Sequence, residues 1–217
     1  MGEIILVRHG QASFGADDYD KLSDLGHQQS EWLGHYFKTH DTQFDRVVRG
    51  GLRRHRETAE GIAAAMGGFD AAVDPRLDEF HYDPLQDEYI RGTGVDAPTS
   101  RDAFLSVFPD IFTRWENAEL SGSGETFLAF QTRVDDAVNA MAREDETALI
   151  VTSGGVIGAT MRRVLGLSAR ATADLLLNIH NASVHRLTYE RGELRLSLFN
   201  ASPHLDPASR IHARTYI

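Results

Sequence analysis

Arg8-His9-Gly10 sets a reactive imidazole beside a fixed cation and follows both with the residue that leaves most room for another molecule. The same three residues would also serve an ordinary capped strand end. A second basic stretch, GGLRRHRETA at 50–59, begins a helix, and helix N-termini favour anions. At helical spacing Arg54 and Thr58 share one face, while Arg53 and Arg56 share another that reads as solvated surface. Glu79 lies in the loop sequence RLDEFHYD. Beside a bound phosphate, such a carboxyl could hold a proton and act as a general acid. The run IVTSGGVIG at 150–158 ends an apolar stretch in Ser153, Gly154 and Gly155, a second natural anion cradle. Together these residues describe an anion site that contains a reactive histidine.

Such a site needs strands to bring it together, and the pattern supplies them. Ile4 to Val7 are continuously apolar, as in a strand buried on both faces, and ligands collect at the carboxyl ends of such strands. A helix follows from the N-cap Ser23, with Leu25, Gln29, Trp32, Leu33, Tyr36 and Phe37 at helical spacing. Next come a strand over 44–49, a helix over 52–66 that stops at Gly67-Gly68, and a short strand at Ala72-Val73. The stretch 83–123, with Pro84, Pro98 and Pro109, breaks this rhythm and holds one amphipathic helix around 100–116. It reads as a lid-like insertion over the sheet edge that carries the site. A helix from Glu125 to about Arg143, a strand at Ala148–Thr152 and a helix to about Leu165 follow. Strands over 182–189 and 193–200 close the chain as a hairpin turning at Arg191-Gly192. The expected fold is α/β: a three-layer sandwich, its mostly parallel central sheet flanked by helices, in one domain over 1–217.

The 217 residues carry a net charge of −10, which disfavours nucleic acid and acidic membranes as partners while permitting a local positive pocket. Cysteine is absent, so thiolate nucleophiles and cysteine-ligated metals are excluded. No basic n-region precedes the short apolar run, and the cytoplasm is the expected compartment.

The motifs in register resemble the histidine phosphatase superfamily, the group that includes the cofactor-dependent phosphoglycerate mutases. The resemblance covers nearly the whole chain. It takes in RHG at 8–10, the stretch Leu22 to Gln29, and the pattern of Leu52, Arg54, Thr58 and Ala59. It continues through Leu77 to Glu79, Gly124-Glu125-Thr126, the strand-Gly-Gly-helix near 154, and Asn181 to Val184. The resemblance implies that His9 takes the phosphoryl group, that Arg8 and Arg54 hold its oxygens, and that Glu79 protonates the leaving oxygen. Ser153 and Gly154 fall in the phosphate-binding stretch, and Gln11, Ser13, His81 and His180 are candidates for substrate contact. No metal or cofactor is expected, because arginines suffice to hold the phosphoryl charge.

The chain departs from the family pattern at three places. Ser153 stands where the family places a second histidine, Ala12 and Gly15 replace a hydroxyl and an amide, and Gly50-Gly51 replaces a Ser-Pro pair. Losing one preorganised donor typically costs ~10²–10³ in rate, so Ser153→His is expected to raise turnover by up to ~100-fold. His81, His180 and His204 are candidates to fill the gap, against the reading of each as a surface or packed histidine; His27, His35, His40, His185 and His212 show no ligand spacing.

The expected activity is a metal-independent phosphatase working on a small phosphorylated compound through phosphohistidine. Phosphoglycerate mutase-type phosphotransfer and a weakened phospholigand-binding protein are the alternatives. The partner is then a small phosphorylated substrate or phosphate, and the oligomeric state stays open, a homodimer included.

Overall fold

The computed structural model describes residues 1–13 and 20–216. Its centre is a six-stranded sheet of order β3-β2-β4-β1-β5-β6. β1 (Gly2–Arg8) runs parallel to β4 (Thr147–Thr152), which runs parallel to β2 (Arg46–Arg49); β2 in turn pairs with the two-residue β3 (Ala72–Val73). β5 (Val184–Glu190) lies antiparallel to β1, and β6 (Glu193–Ala201) forms the edge. The hairpin joining them turns at Arg191 and Gly192 with φ of 53° and 81°, the pair of positive angles a tight hairpin needs.

The alternation of side chains along β1 and β4 divides the core into two layers. Ile5, Val7, Leu149 and Val151 pack under α1 (Asp24–Thr39) and α2 (Arg53–Met66) through Leu33, Phe37, Ala59 and Ile62. Ile4, Leu6 and Ile150 face the opposite layer. That layer contains α3 (Tyr82–Thr93), α4 (Arg101–Glu116), α5 (Phe127–Met141), α6 (Gly154–Leu165) and α7 (Ala169–Leu176). The structure therefore has the expected α/β architecture, with a mixed, mostly parallel sheet between helices.

Two elements correct the sequence reading. The stretch 83–123 holds two helices rather than one. α3 tolerates Pro84 because it lies in the first turn, where the missing N–H has no intrahelical acceptor. α7, capped by Ser168 on the amide of Ala171, was not anticipated because its eight residues give too short a period to read. The inner faces of α3 and α4 belong to the main core. Leu85, Phe112 and Trp115 are buried there, and Trp115 stacks on Phe80 at 4.8 Å, next to Glu79. Truncating Trp115 to alanine would cost ~3–5 kcal/mol on the usual scale for buried aromatics.

Candidate active site

Register is what assembles the site. Arg8 pairs with Thr152 and Arg49 with Val151, so β1, β2 and β4 end level with one another. The amide of His9 extends the ladder to the Thr152 carbonyl at 2.8 Å, and that of Gly50 to the Val151 carbonyl at 3.1 Å. His9 and Ser153 are thus the next residues on neighbouring parallel strands.

His9 is buried, and its Nδ1 lies 2.7 Å from the Gly10 carbonyl oxygen. A carbonyl can only accept, so Nδ1 carries the proton and Nε2 keeps its lone pair. Burial first, then the charges of Arg54 and Arg8, hold this imidazole well below its ordinary value of 6.5, so it is neutral at pH 7. The loop that follows packs closely on α1. A Cβ at Gly10 would stand 2.4 Å from the Gly26 carbonyl oxygen, and the Gly10 amide donates to Thr58 Oγ1 at 3.0 Å.

Arg8 is buried, and its Nη1 donates to the Ile179 carbonyl. Arg54 reaches in from α2 with its side chain 11% exposed and is paired with Asp20 at 2.7 Å. Arg53 and Arg56 lie on the solvent side, paired with Glu57 and Glu60. The division of the three arginines thus follows the helical spacing. The α2 terminus itself is occupied by a carboxylate, since the Arg53 amide donates to Asp20 Oδ2 at 2.8 Å.

Glu79 is half-buried, and its Oε2 accepts the Gly155 amide at 3.0 Å at the start of α6. A side chain at Gly155 would displace the Glu79 carboxylate, because a Cβ there would stand 2.0 Å from Glu79 Oε1. The Thr152 hydroxyl ties down the segment before Glu79 by donating to the Leu77 carbonyl at 2.6 Å. Gly154 faces Arg8, whose Nε would lie 3.7 Å from a Cβ built on it.

The remaining candidates are placed as follows. The Gln11 side chain accepts from the Ser23 hydroxyl at 2.9 Å, and the Ser13 hydroxyl donates to the Leu22 carbonyl at 3.1 Å. Ala12 forms a bridge with Leu22, whereas Gly15 lies outside the described residues. His180 stacks on Tyr216 at 5.7 Å, and burial, Arg214 and Arg8 lower its pKa, which places it on the Arg8 side. His81 is exposed at the start of α3. His204 is buried in the turn Pro203–Leu205, and neither ring nitrogen has a hydrogen bond. That turn packs against α1.

Sequence reasoning passed over a fourth histidine. His55, on α2, is fully buried, and its ring centroid lies 5.9 Å from that of His9. Its Nε2 is 2.6 Å from Ser153 Oγ, and its Nδ1 lies 3.6 Å from Asp78 Oδ1, within ion-pair reach but too long for a hydrogen bond. Burial lowers its pKa, with Asp78 opposing and Arg54 assisting. Burial pushes the Asp78 carboxyl up, yet His55 and the Gly51 amide hold it below its ordinary range. Gly50 makes the space: a Cβ there would stand 2.2 Å from His55 Nδ1. The signal was present in the sequence as two glycines, five and four residues before a histidine.

Among the described residues, no group of three or more histidine and acidic side chains could hold a metal ion, and no helix is long and apolar enough to cross a membrane.

Over 199 residues the chain is 27% identical to a protein named probable phosphoglycerate mutase from Erwinia tasmaniensis, covering 88% of this chain and 86% of that one. It is 28% identical over 191 residues to a metal-independent phosphoserine phosphatase of Arabidopsis thaliana, covering 84% and 76%. Among solved structures, a mycobacterial glucosyl-3-phosphoglycerate phosphatase superposes with a TM-score of 0.64 at 25% identity, covering 92% and 98%. A phosphoserine phosphatase from Entamoeba histolytica shares the fold, with a TM-score of 0.69 at 18% identity, covering 94% and 100%. The profile of the histidine phosphatase superfamily, branch 1, matches residues 4–202, and the chain belongs to that family.

Proposed function

We propose that the chain is a metal-independent phosphatase that hydrolyses a small phosphorylated compound through a phosphohistidine at His9. The observation that carries this reading is the fixed tautomer of His9. With Nδ1–H held on the Gly10 carbonyl, the Nε2 lone pair is available beside two guanidinium groups.

In the first step Nε2 attacks phosphorus, the bond to the leaving oxygen breaks, and that oxygen takes a proton from Glu79. Arg8 and Arg54 hold the charge on the remaining oxygens, and Arg54 exchanges part of its pairing with Asp20 for the substrate. In the second step the Glu79 carboxylate takes a proton from water, whose oxygen displaces the Nε2–P bond. Phosphate leaves, and both residues return to their starting states.

The phosphatase names among the relatives support hydrolysis. The mutase name of another keeps transfer to a second hydroxyl as the competing outcome.

The test is hydrolysis of p-nitrophenyl phosphate in EDTA, with rapid quench to trap acid-labile protein phosphate. Turnover that survives chelation and is lost by more than about 10⁴-fold in His9→Ala is the expected result. Turnover that needs an added divalent ion, or that persists in His9→Ala, would overturn the reading. Phosphate binding without turnover would favour the phospholigand-binding alternative.

A further inference from the structure

The hydroxyl of Ser153 is diverted from its usual use. A serine at the N-cap accepts an amide from the first turn of its helix, but Ser153 makes no such bond to α6. The Gly155 amide goes to Glu79 instead, and Ser153 Oγ pairs with His55 Nε2 at 2.6 Å. Ser153 and His9 follow in-register residues of adjacent parallel strands, so their side chains share a face about one strand spacing apart. The hydroxyl that pairs with His55 therefore stands at the strand end next to His9.

His55 is a costly residue to bury there. Its Nδ1 makes no hydrogen bond, Asp78 is 3.6 Å away, and a side chain at Gly50 would expel the ring. Protonation would turn both nitrogens into donors, one toward Asp78 and one toward Ser153. The Ser153 hydroxyl proton would then be free to point at an anion.

We propose that Asp78, His55 and Ser153 form a proton-loaded relay, in which an oxyanion bound beside His9 draws a proton onto His55 and receives a hydrogen bond from Ser153. The proposal rests on the reading of His9 as the phosphoryl site. The proton comes from solvent, Asp78 remains a carboxylate, and no covalent bond changes. The charged and titratable groups facing His55 are Arg54 on its own helix, His9 at the end of β1, and Asp78 and Glu79 on the segment after β3. Burial is the main reason the imidazole's pKa is lowered, and an anion placed among these groups offsets the Arg54 charge that adds to it. His55 is a positioning residue here, acting through the serine.

Inorganic sulfate is the suitable probe, because it does not titrate near neutrality. Sulfate binding is measured calorimetrically at pH 7 in two buffers of different ionisation heat. The wild type is expected to take up a large fraction of one proton per sulfate. His55→Gln should lose more than half of that uptake and bind sulfate ~10-fold more weakly. Ser153→Ala, which removes one oxygen and leaves His55 in place, should lose uptake to a similar extent, and the double variant should be no weaker than the worse single one. Unchanged proton uptake in either single variant would overturn the relay, as would absence of sulfate binding in the wild type. Lack of phosphatase turnover alongside normal sulfate-linked uptake would overturn the catalytic reading and leave the relay standing.

Discussion

The ends of β1 and β4 are neighbours in register, yet they are furnished by different means. β1 carries its chemistry on itself: Arg8 and His9 are consecutive, and their backbone continues the ladder. β4 ends in Ser153, Gly154 and Gly155, and its chemistry is brought from outside, with the His55 imidazole coming from α2 and the Glu79 carboxylate from the loop after β3. On the proposed mechanism one end attacks and the other protonates the leaving group, and only the first is written in consecutive residues. The difference teaches that an imidazole can reach a strand end from a neighbouring helix, if a glycine clears the way.

The largest effect that would sharpen this contrast is at Glu79. If the β4 end supplies the acid, Glu79→Gln should slow hydrolysis of an alkyl phosphate by ~10²–10⁴-fold, the usual scale for a general acid. Hydrolysis of p-nitrophenyl phosphate, whose leaving group needs little protonation, should fall far less. Equal losses on both substrates, measured as kcat/KM, would assign Glu79 to binding rather than to proton transfer.

Gly50 tests the imported imidazole. A Cβ there would meet His55 Nδ1 at 2.2 Å and Asp78 Oδ1 at 2.7 Å, so Gly50→Ala must displace one of them. The expected loss in kcat/KM is ~10–100-fold, with phosphohistidine still formed because the β1 end is untouched. Wild-type kinetics in Gly50→Ala would break the comparison, since His55 would then have no bearing on the site.

Acid stability extends the contrast to the whole molecule. His9, His55, His185 and His204 are all buried, and burial is the first cause that lowers each one, the last two to about 3. A histidine whose folded pKa is lowered binds fewer protons folded than unfolded, so stability is full above pH 6.5 and falls as the pH drops toward the folded value. The slope is at most ~1.4 kcal/mol per pH unit for each such group. Thermal melts should therefore shift down between pH 6.5 and 4. His204→Phe, in the turn that packs against α1, should flatten that slope. An unchanged slope would mean that His204 is charged within the fold.

How much of this was legible in the chain follows from the same contrast. Arg8, His9 and Arg54 could be read because each depends on local order: a strand end, or one face of a helix. β1, β4 and the closing hairpin could be read because apolar runs and turn chemistry are also local. The placement of His55 could not, because it depends on the register of β4 beside β1, and Gly50, though near in sequence, does not by itself say which ring its empty volume admits. Asp78 stood beside the more conspicuous Glu79 and was hidden by it. α3 was obscured by Pro84, which reads as a breaker unless the helix start is already known.

The last test exchanges the two designs. Sequence alone predicts that Ser153→His repairs a missing donor and raises turnover. The packing around Ser153 motivates the opposite expectation. Ser153 is fully buried with Oγ 2.6 Å from His55, so a second imidazole at 153 has no volume while the first remains. Ser153→His alone should cost ~100-fold or more in kcat/KM, on the scale of losing an organised donor, together with stability lost to overpacking. His55→Ala vacates a ring's volume at a helical position that alanine suits well. Combined, the two substitutions move one imidazole from α2 to the end of β4 and nearly conserve total volume. The double variant should recover to within about tenfold of wild type, so that each substitution is harmful alone and tolerated together. Steady-state kinetics of all four proteins decide the matter. A double variant no better than Ser153→His would mean that the imidazole works only when delivered from α2, with Asp78 behind it.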